Sequence, residues 1–317
     1  VSRSLILTAN FAASDRDFPV AFLNSLGWSQ VDADVVLIAN HGGPAAEERL
    51  KSLCPQARLW VPMANQFNRI QRRIALTFPA PSRWLASRWR DIWRHRPDRR
   101  TEIERRAVYL LNITIARYLF AKHYLDQVAS QYDHVLICDS RDVILQRDPF
   151  ADLPPGIIVT GEESGRGKDH ADNCYWMNHL YGNEPSVSAA ALLEQKVICS
   201  GVTLGDTAAM QRYLEAMCAE FMERLPQLVH QIYMDQAVHI QLIRTGHLKG
   251  VQLSPNGDDR IATLATSDLS EFTIAPSGAL LARDGAKVAI VHQYDRHRGF
   301  SDRLLASLHS KNEITAA

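Results

Sequence analysis

Asp139 and Asp142 stand three residues apart in the run HVLICDSRDVILQRDPF, residues 134–150. Val135, Leu136, Ile137 and Cys138 lead straight into them, the pattern of a buried strand that ends by presenting carboxylates. Two carboxylates held close repel one another and resist joint ionisation. A divalent cation removes that conflict. Hard oxygen ligands suit Mg2+ or Mn2+, an added imidazole favours Mn2+, and such ions bind the phosphates of a substrate. A diphosphate is the natural third party. Plainer uses stand beside this one. An aspartate after a strand is a common turn former or helix cap. Arg141 between the two carboxylates would also make a surface ion pair, and Asp148 before Pro149 reads as a turn residue. Further candidates sit where strands end or helices begin. They are Glu162 and Glu163 in GIIVTGEESG, His292 in VAIVHQYDRH, and the pair Asp235–Gln236 in IYMDQAVHIQLIRTG. Taken singly, a strand-end histidine is by default a hydrogen-bonded structural residue, and an aspartate at a helix start a cap. Their joint order raises them above those defaults.

The elements that must position these groups alternate. SLILTAN, ADVVLIANHGG and ARLWVPM read as strands, separated by the helical PVAFLNSLGW and AAEERLKSLC. Strands alternating with helices at this spacing imply a parallel, doubly wound sheet. In such sheets ligands bind outside the carboxyl ends of the strands. An Arg/Trp segment then interrupts the rhythm, with FPAPSRW and RPDRR as breaks. Residues 100–131, from RTEIERR to DQVASQ, read as one long helix feeding the strand before Asp139. GIIVTGEESG and VICSGVTLGD read as strands with polar turns, Arg166–Glu184 as a loop, TAAMQRYLEAMCAEFMERL as an amphipathic helix, and VAIVHQYDRH as a late strand. The whole of residues 1–317 is read as one domain, with nucleotide-binding strands in 1–65, a basic helical insertion in 66–106, and the metal, donor and acceptor half in 107–317.

This arrangement resembles the GT-A class of nucleotide-sugar-dependent glycosyltransferases, with a layout like that of the family 8-like retaining enzymes. In that family a strand ends in D-x-D followed by apolar residues and a D-P-F-like turn, here LICDSRDVILQRDPF. An N-S-G-V-type strand follows, here CSGVTLGD, then a D-Q pair, here YMDQAV. A histidine on a late strand comes last, here IVHQYDRH. The matches span roughly Arg117 to His297. Three departures stand out: the aspartates are spaced D-x-x-D, Cys199 holds the place of the N-S-G asparagine, and the family's late H-x-x-G-x-x-K-P-W is absent, with Arg296, His297 and Arg298 following His292 instead.

The resemblance implies a mixed, mainly parallel α/β sheet flanked by helices, with the Arg/Trp-rich segment as a helical insertion. Asp139, Asp142 and His292 would hold Mn2+ or Mg2+, and through it the nucleotide-diphosphate sugar. Arg117 would reach the diphosphate or donor sugar, and Asp235 and Gln236 would face the transferred sugar. Ser200 and Gly201 would line the acceptor side. Thr8, Ala9 and Asn10 would meet the nucleoside, and Arg296 the diphosphate. An inverting enzyme would need a general base, for which Asp235, Glu162 or Glu163 would serve; a retaining one would let the leaving phosphate take the proton. The implied activity is metal-dependent transfer of a sugar to a saccharide or lipid-linked acceptor, as in polysaccharide biosynthesis. A non-catalytic sugar- or nucleotide-binding protein and a sugar nucleotidyltransferase are the alternatives. The latter wants a Gly-rich basic loop after the first strand, which LTANFAASDRD is not. A haloacid-dehalogenase-type phosphatase needs aspartate two positions after the first, where Arg141 stands. GEESGRGKD lacks the spacing of a phosphate-cradling P-loop.

The composition fits this picture. The 317 residues are 46% hydrophobic and 22% charged, with 35 basic and 35 acidic residues. A formal net charge of zero argues against nucleic acid as the main partner. Twelve arginines nevertheless fall between Arg69 and Arg106, interleaved with Trp84, Trp89 and Trp93. That segment reads as a solvated helical insertion, a lid, or a basic face for an anionic membrane. Five cysteines without a C-x-x-C fit a reducing compartment. Neither a transmembrane span nor a signal-peptide layout is visible, which places the expectation at the cytoplasm, with peripheral membrane contact through residues 69–106. The Val start leaves a removed leader open.

Overall fold

The computed structural model describes residues 3–9, 18–39, 42–62, 77–267 and 269–315, the side chains of 307–315 excepted. Asn10, Arg69, Arg72 and Arg73, and with them residues 66–76 of the expected insertion, lie outside the described residues.

Twelve strands are described. They are β1 (Ser4–Ala9), β2 (Ala33–Ile38), β3 (Ala57–Trp60), β4 (His134–Asp139), β5 (Val143–Leu145), β6 (Ile158–Arg166), β7 (Lys196–Asp206), β8 (Val251–Pro255), β9 (Ile261–Thr263), β10 (Thr273–Ile274), β11 (Leu280–Leu281) and β12 (Ile290–His292). A seven-stranded sheet runs in the order β3-β2-β1-β4-β7-β6-β8. It is mostly parallel, as expected for a Rossmann-like α/β fold. The strand expected at Val197–Asp206 departs from this: β7 runs antiparallel to both β4 and β6. The late strand carrying His292 departs too. It leaves the main sheet for a three-stranded one in the order β5-β12-β9.

Alternation sets the two faces of the main sheet. Leu5, Leu7, Val36, Ile38, Val135 and Ile137 point to one side. There they meet helices α5 (Ile113–Val128), α8 (Thr207–Glu223) and α10 (Asp235–Arg244). Ile6, Val35, Leu37, Leu136 and Cys138 point to the other side. They meet α1 (Val20–Ser29), α2 (Pro44–Leu53) and the inner face of β5 and β12. A third cluster packs the outer side of the small sheet under α11 (Arg298–Thr315), through Phe300 and Leu304.

The expected long helix over 100–131 is broken in two. α4 (Arg100–Ala107) ends at an irregular turn, and α5 restarts behind Asn112, whose side chain accepts the Thr114 N–H at 3.1 Å. An asparagine in that place satisfies an orphan donor of the first turn, so a new helix is favoured over continuation. The polar stretch Arg166–Glu184, expected as a loop, folds into α6 (Ala171–Tyr181). Its buried contacts are only Met177, Leu180 and Tyr181. The Arg/Trp segment is helical where described. Pro79 and Pro81 open α3 (Pro79–His95), because proline is tolerated in a first turn where its missing N–H costs nothing. Trp93 is buried and donates to Glu104 at 3.0 Å, with Arg100 4.6 Å over its ring. Trp84 stays 66% exposed. The short helices α7 (Ala189–Leu193) and α9 (Leu225–Leu228) complete the set. No helix among the described residues is long and apolar enough to cross a membrane.

Candidate metal centre

Asp139 closes β4 on the same face as Val135 and Ile137, the face covered by α5. Period-two alternation therefore aims its carboxylate at that helix, and Arg117 of α5 makes a close ion pair with its Oδ1. Oδ2 is left facing His292 Nε2 at 3.7 Å. Asp142 arrives by a different route. The chain turns after Asp139 into β5, which pairs antiparallel with β12 so that Val143 lies opposite His292. The Gln293 N–H then donates to the Asp142 carbonyl at 2.7 Å, tying the end of β12 to the aspartate turn. As a result Asp142 Oδ1 also stands 3.7 Å from His292 Nε2. One ligand atom from each of the three residues falls within 4.8 Å of the others.

Two observations fit this trio to a cation. His292 is 1% exposed, and its Nε2 is buried without a hydrogen-bond partner; an orphan of this kind is costly unless something else occupies it. Space is also kept clear. Gly201 lies on β7 one residue before Val202, which pairs with Cys138. A Cβ there would come within 2.6 Å of His292 Nε2 and 3.0 Å of Asp139 Oδ2. Two hard oxygens and one imidazole form a donor set that could hold a metal ion. The D-x-x-D spacing is no obstacle, because the second aspartate is delivered by the β5–β12 pairing and not by the strand of the first.

The other face of the histidine is also packed. Nδ1 meets Cys199 Sγ at 3.5 Å. Burial works against a charged imidazole here, but Cys199, Asp142 and Glu163 around it outweigh that and raise its pKa to about 9. Glu163 is itself buried, which pushes its carboxyl up, against the Thr266 hydroxyl at 2.8 Å and the imidazoles of His292 and His170.

Beside this trio lies a second constellation. Asp235 and Gln236 begin α10. The Asp235 carboxylate takes Arg117 Nη2 at 3.0 Å and the Ser200 hydroxyl at 3.2 Å. Burial pushes its carboxyl up, with Arg117 and Ser200 pulling the other way. Gln236 is fixed at both ends: its Oε1 accepts Ser200 N–H at 3.0 Å, and its Nε2 donates to Ile198 O at 2.7 Å. Arg117 thus bridges Asp139 to Asp235, with its guanidinium also 3.3 Å from Tyr118 OH. Tyr118 in turn donates to Ser200 O at 3.0 Å.

The remaining sequence candidates are placed as follows. Thr8 is buried and spends its hydroxyl on Cys138 O at 2.8 Å. Ala9 is paired with Asp139 across β1–β4, and its carbonyl accepts Ser140 Oγ at 3.1 Å. Arg296 sits on the turn after β12, about half-exposed, with Asp295 as its near neighbour. Glu162 points away from the trio. It pairs with Arg244 at 2.8 Å and Lys196 at 3.6 Å, while Glu163 faces toward His292. Successive strand residues point to opposite faces, so that split was the available signal for separating the two glutamates. Tyr118, Tyr213 and His239 went unnoticed in the sequence. His239 is fully buried between Tyr213 OH at 2.9 Å and Thr160 Oγ1 at 3.3 Å. Its place one turn after Asp235 was the only hint.

No protein-family model matches this chain, and no curated protein matches it. The chemistry of the site therefore rests on its own geometry.

Proposed function

We propose that the protein is a metal-dependent glycosyltransferase of the GT-A type. It would move a sugar from a nucleotide-diphosphate sugar to a saccharide or lipid-linked acceptor, in the manner of polysaccharide biosynthesis. The observation that carries this reading is the convergence of Asp139, Asp142 and His292 next to the Arg117–Asp235 bridge. They meet where β4 ends, the place at which open α/β sheets bind ligands. The resemblance of CSGV and MDQ to the family's motifs supports the same reading.

Asp139, Asp142 and His292 would hold the cation, which when bound supplies Lewis-acid neutralisation of the leaving diphosphate. Arg117 adds a fixed, buried positive charge next to it, pre-oriented by two carboxylates, and so stabilises charge that develops on phosphate oxygens without reorganising. Asp235 is held by Ser200 and Arg117 facing the same space, where it steadies positive character at the sugar's anomeric carbon. Gln236, locked to β7 at both ends, sets the height of α10 against the site. As a general base Glu162 would first have to leave Arg244, so Asp235 or Glu163 takes that role more readily if the acceptor is activated directly. Ala9 would offer the floor for the nucleoside, with Thr8 buried behind it and Arg296 reaching the diphosphate from the rim.

The test is hydrolysis of a panel of nucleotide sugars with Mn2+, comparing the wild type with Asp142→Ala and His292→Ala. Turnover of one donor by the wild type, lost in both variants, is expected. Absence of turnover together with absence of any nucleotide-induced thermal shift would sink the reading. The proposal extends to a cytoplasmic location with peripheral membrane contact through residues 69–106. Phe78 and Trp84 are exposed there beside Arg83 and Arg88.

A further inference from the structure

Five large apolar side chains stand more than half or about half exposed among the described residues, and three of them, Tyr175, Ile232 and Tyr233, share one patch. Tyr175 projects from α6 and donates to Gln231 Oε1 at 2.9 Å. Its ring lies 5.7 Å from His179, and the half-buried Trp176 lies 6.1 Å from Tyr233. The loop that carries the patch is held in an uncommon shape. His230 and Tyr233 both take left-handed backbone angles, φ 67° and 58°. For residues other than glycine that conformation costs on the order of 1–3 kcal/mol each and persists at sites where surrounding structure enforces it. Asn173 Oδ1 and His230 Nε2, on the same two segments, are buried without a hydrogen-bond partner.

The patch is joined to the proposed active site. Tyr233 stands two positions before Asp235, and its N–H donates at 3.1 Å to Thr114 Oγ1, in the first turn of the helix that carries Arg117. We propose that Tyr175, Trp176, Ile232 and Tyr233 form a platform for the saccharide acceptor, stacking against sugar rings while Gln231 and His179 bond their hydroxyls. This rests on the glycosyl-transfer reading and deepens it. It names a carbohydrate chain, not a lipid surface, as what waits beside Asp235. Charge decides between the two. Residues 170–183 and 229–235 contain no Lys or Arg, and their charged members are Asp172 and Asp235. An anionic membrane would meet no cation there. Aromatic faces with a few amide and imidazole groups suit a neutral polyhydroxylated ligand.

The experiment measures binding of immobilised neutral oligosaccharides, presented as an array, to the full chain without nucleotide. It is followed by Trp fluorescence titration with the best binder. Tyr175→Ala and Tyr233→Asn, the latter chosen because asparagine accepts a left-handed backbone, should weaken binding about tenfold, in line with the loss of one aromatic contact. Tyr175→Phe should retain most of it. Donor hydrolysis, which uses water as acceptor, should stay at wild-type rate in all three. No binder on the array, or equal binding by wild type and both disruptive variants, overturns the platform. So does a wild-type dimer in sedimentation that dissociates in the variants, which would make a second copy the occupant. Oligosaccharide binding with neither donor turnover nor a nucleotide-induced thermal shift would keep the platform and remove the transferase reading instead.

Discussion

His292 and His239 are both buried imidazoles whose surroundings push their pKa values in opposite directions. Burial lowers both, but the groups around His292 reverse the sign and hold it at about 9, while for His239 burial and the nearby Arg117 lower it to about 3. A raised folded pKa contributes stability that is complete below about 6.5 and lost as pH climbs toward 9. The lowered pKa of His239 does the reverse: its contribution is complete above about 6.5 and lost as pH falls toward 3. Metal-free protein in urea titrations should therefore be most stable near neutral pH. His292→Gln should flatten the alkaline limb and His239→Gln the acid one. An unchanged alkaline limb in His292→Gln would remove that assignment. Since a ligating imidazole must give up its proton, Mn2+ should bind more tightly as pH rises and should abolish the alkaline loss. Gly201→Ala is the sharpest test of the pocket. Its methyl would press on His292 Nε2 and Asp139 Oδ2, so the Mn2+-induced thermal shift should vanish while far-UV circular dichroism stays native.

Among the elements, β5 is the hinge of the site despite its length of three residues. Leu145 N–H donates at 3.0 Å to Ser25 Oγ of α1. Ser25→Ala would leave that buried donor unpaired, at a cost of about 1–3 kcal/mol. Because β5 carries Asp142 at its start and pairs with β12, a drop in Mn2+ affinity should accompany the lower urea midpoint. Asn112→Ala should cost about 1 kcal/mol through the lost cap of α5, with Mn2+ affinity nearly intact, since Arg117 lies a full turn inside the helix. The contrast between these two variants checks which element sets the site. The same elements explain what could be read in advance. Continuous apolar runs such as SLILTA and HVLICD advertise buried strands, and Asp139 with them. Direction is absent from such runs, so the antiparallel course of β7 was hidden. A strand as short as Ile290–His292 carries no period, and its sheet is defined only by partners far away in the chain. α6 was missed because it buries few side chains and has no apolar stripe. Asn112 lies within a continuous helical period, which hides its role as a cap.

For the whole molecule, surface chemistry is divided. Cations and Trp84 crowd α3, whereas the aromatic patch near Asp235 carries no cation. If α3 meets a membrane, flotation with anionic liposomes should exceed that with neutral ones. Trp84→Ser with Arg88→Glu should abolish the difference, and Tyr175→Ala should leave it unchanged. Equal, negligible flotation with both lipids would end the membrane idea. The order of the strands also has a temporal meaning. β4, in the middle of the sheet, has β1 on one side and β7 on the other, and its aspartate waits for a histidine on the last of the described strands. Contacts between residues so distant in sequence close late, because a long loop must be ordered first. Ion binding should therefore be the last property to return on refolding, slower than the recovery of helical signal. Mn2+ would then act as a seal on a finished fold, reporting by its capture that strands far apart in the sequence had come together.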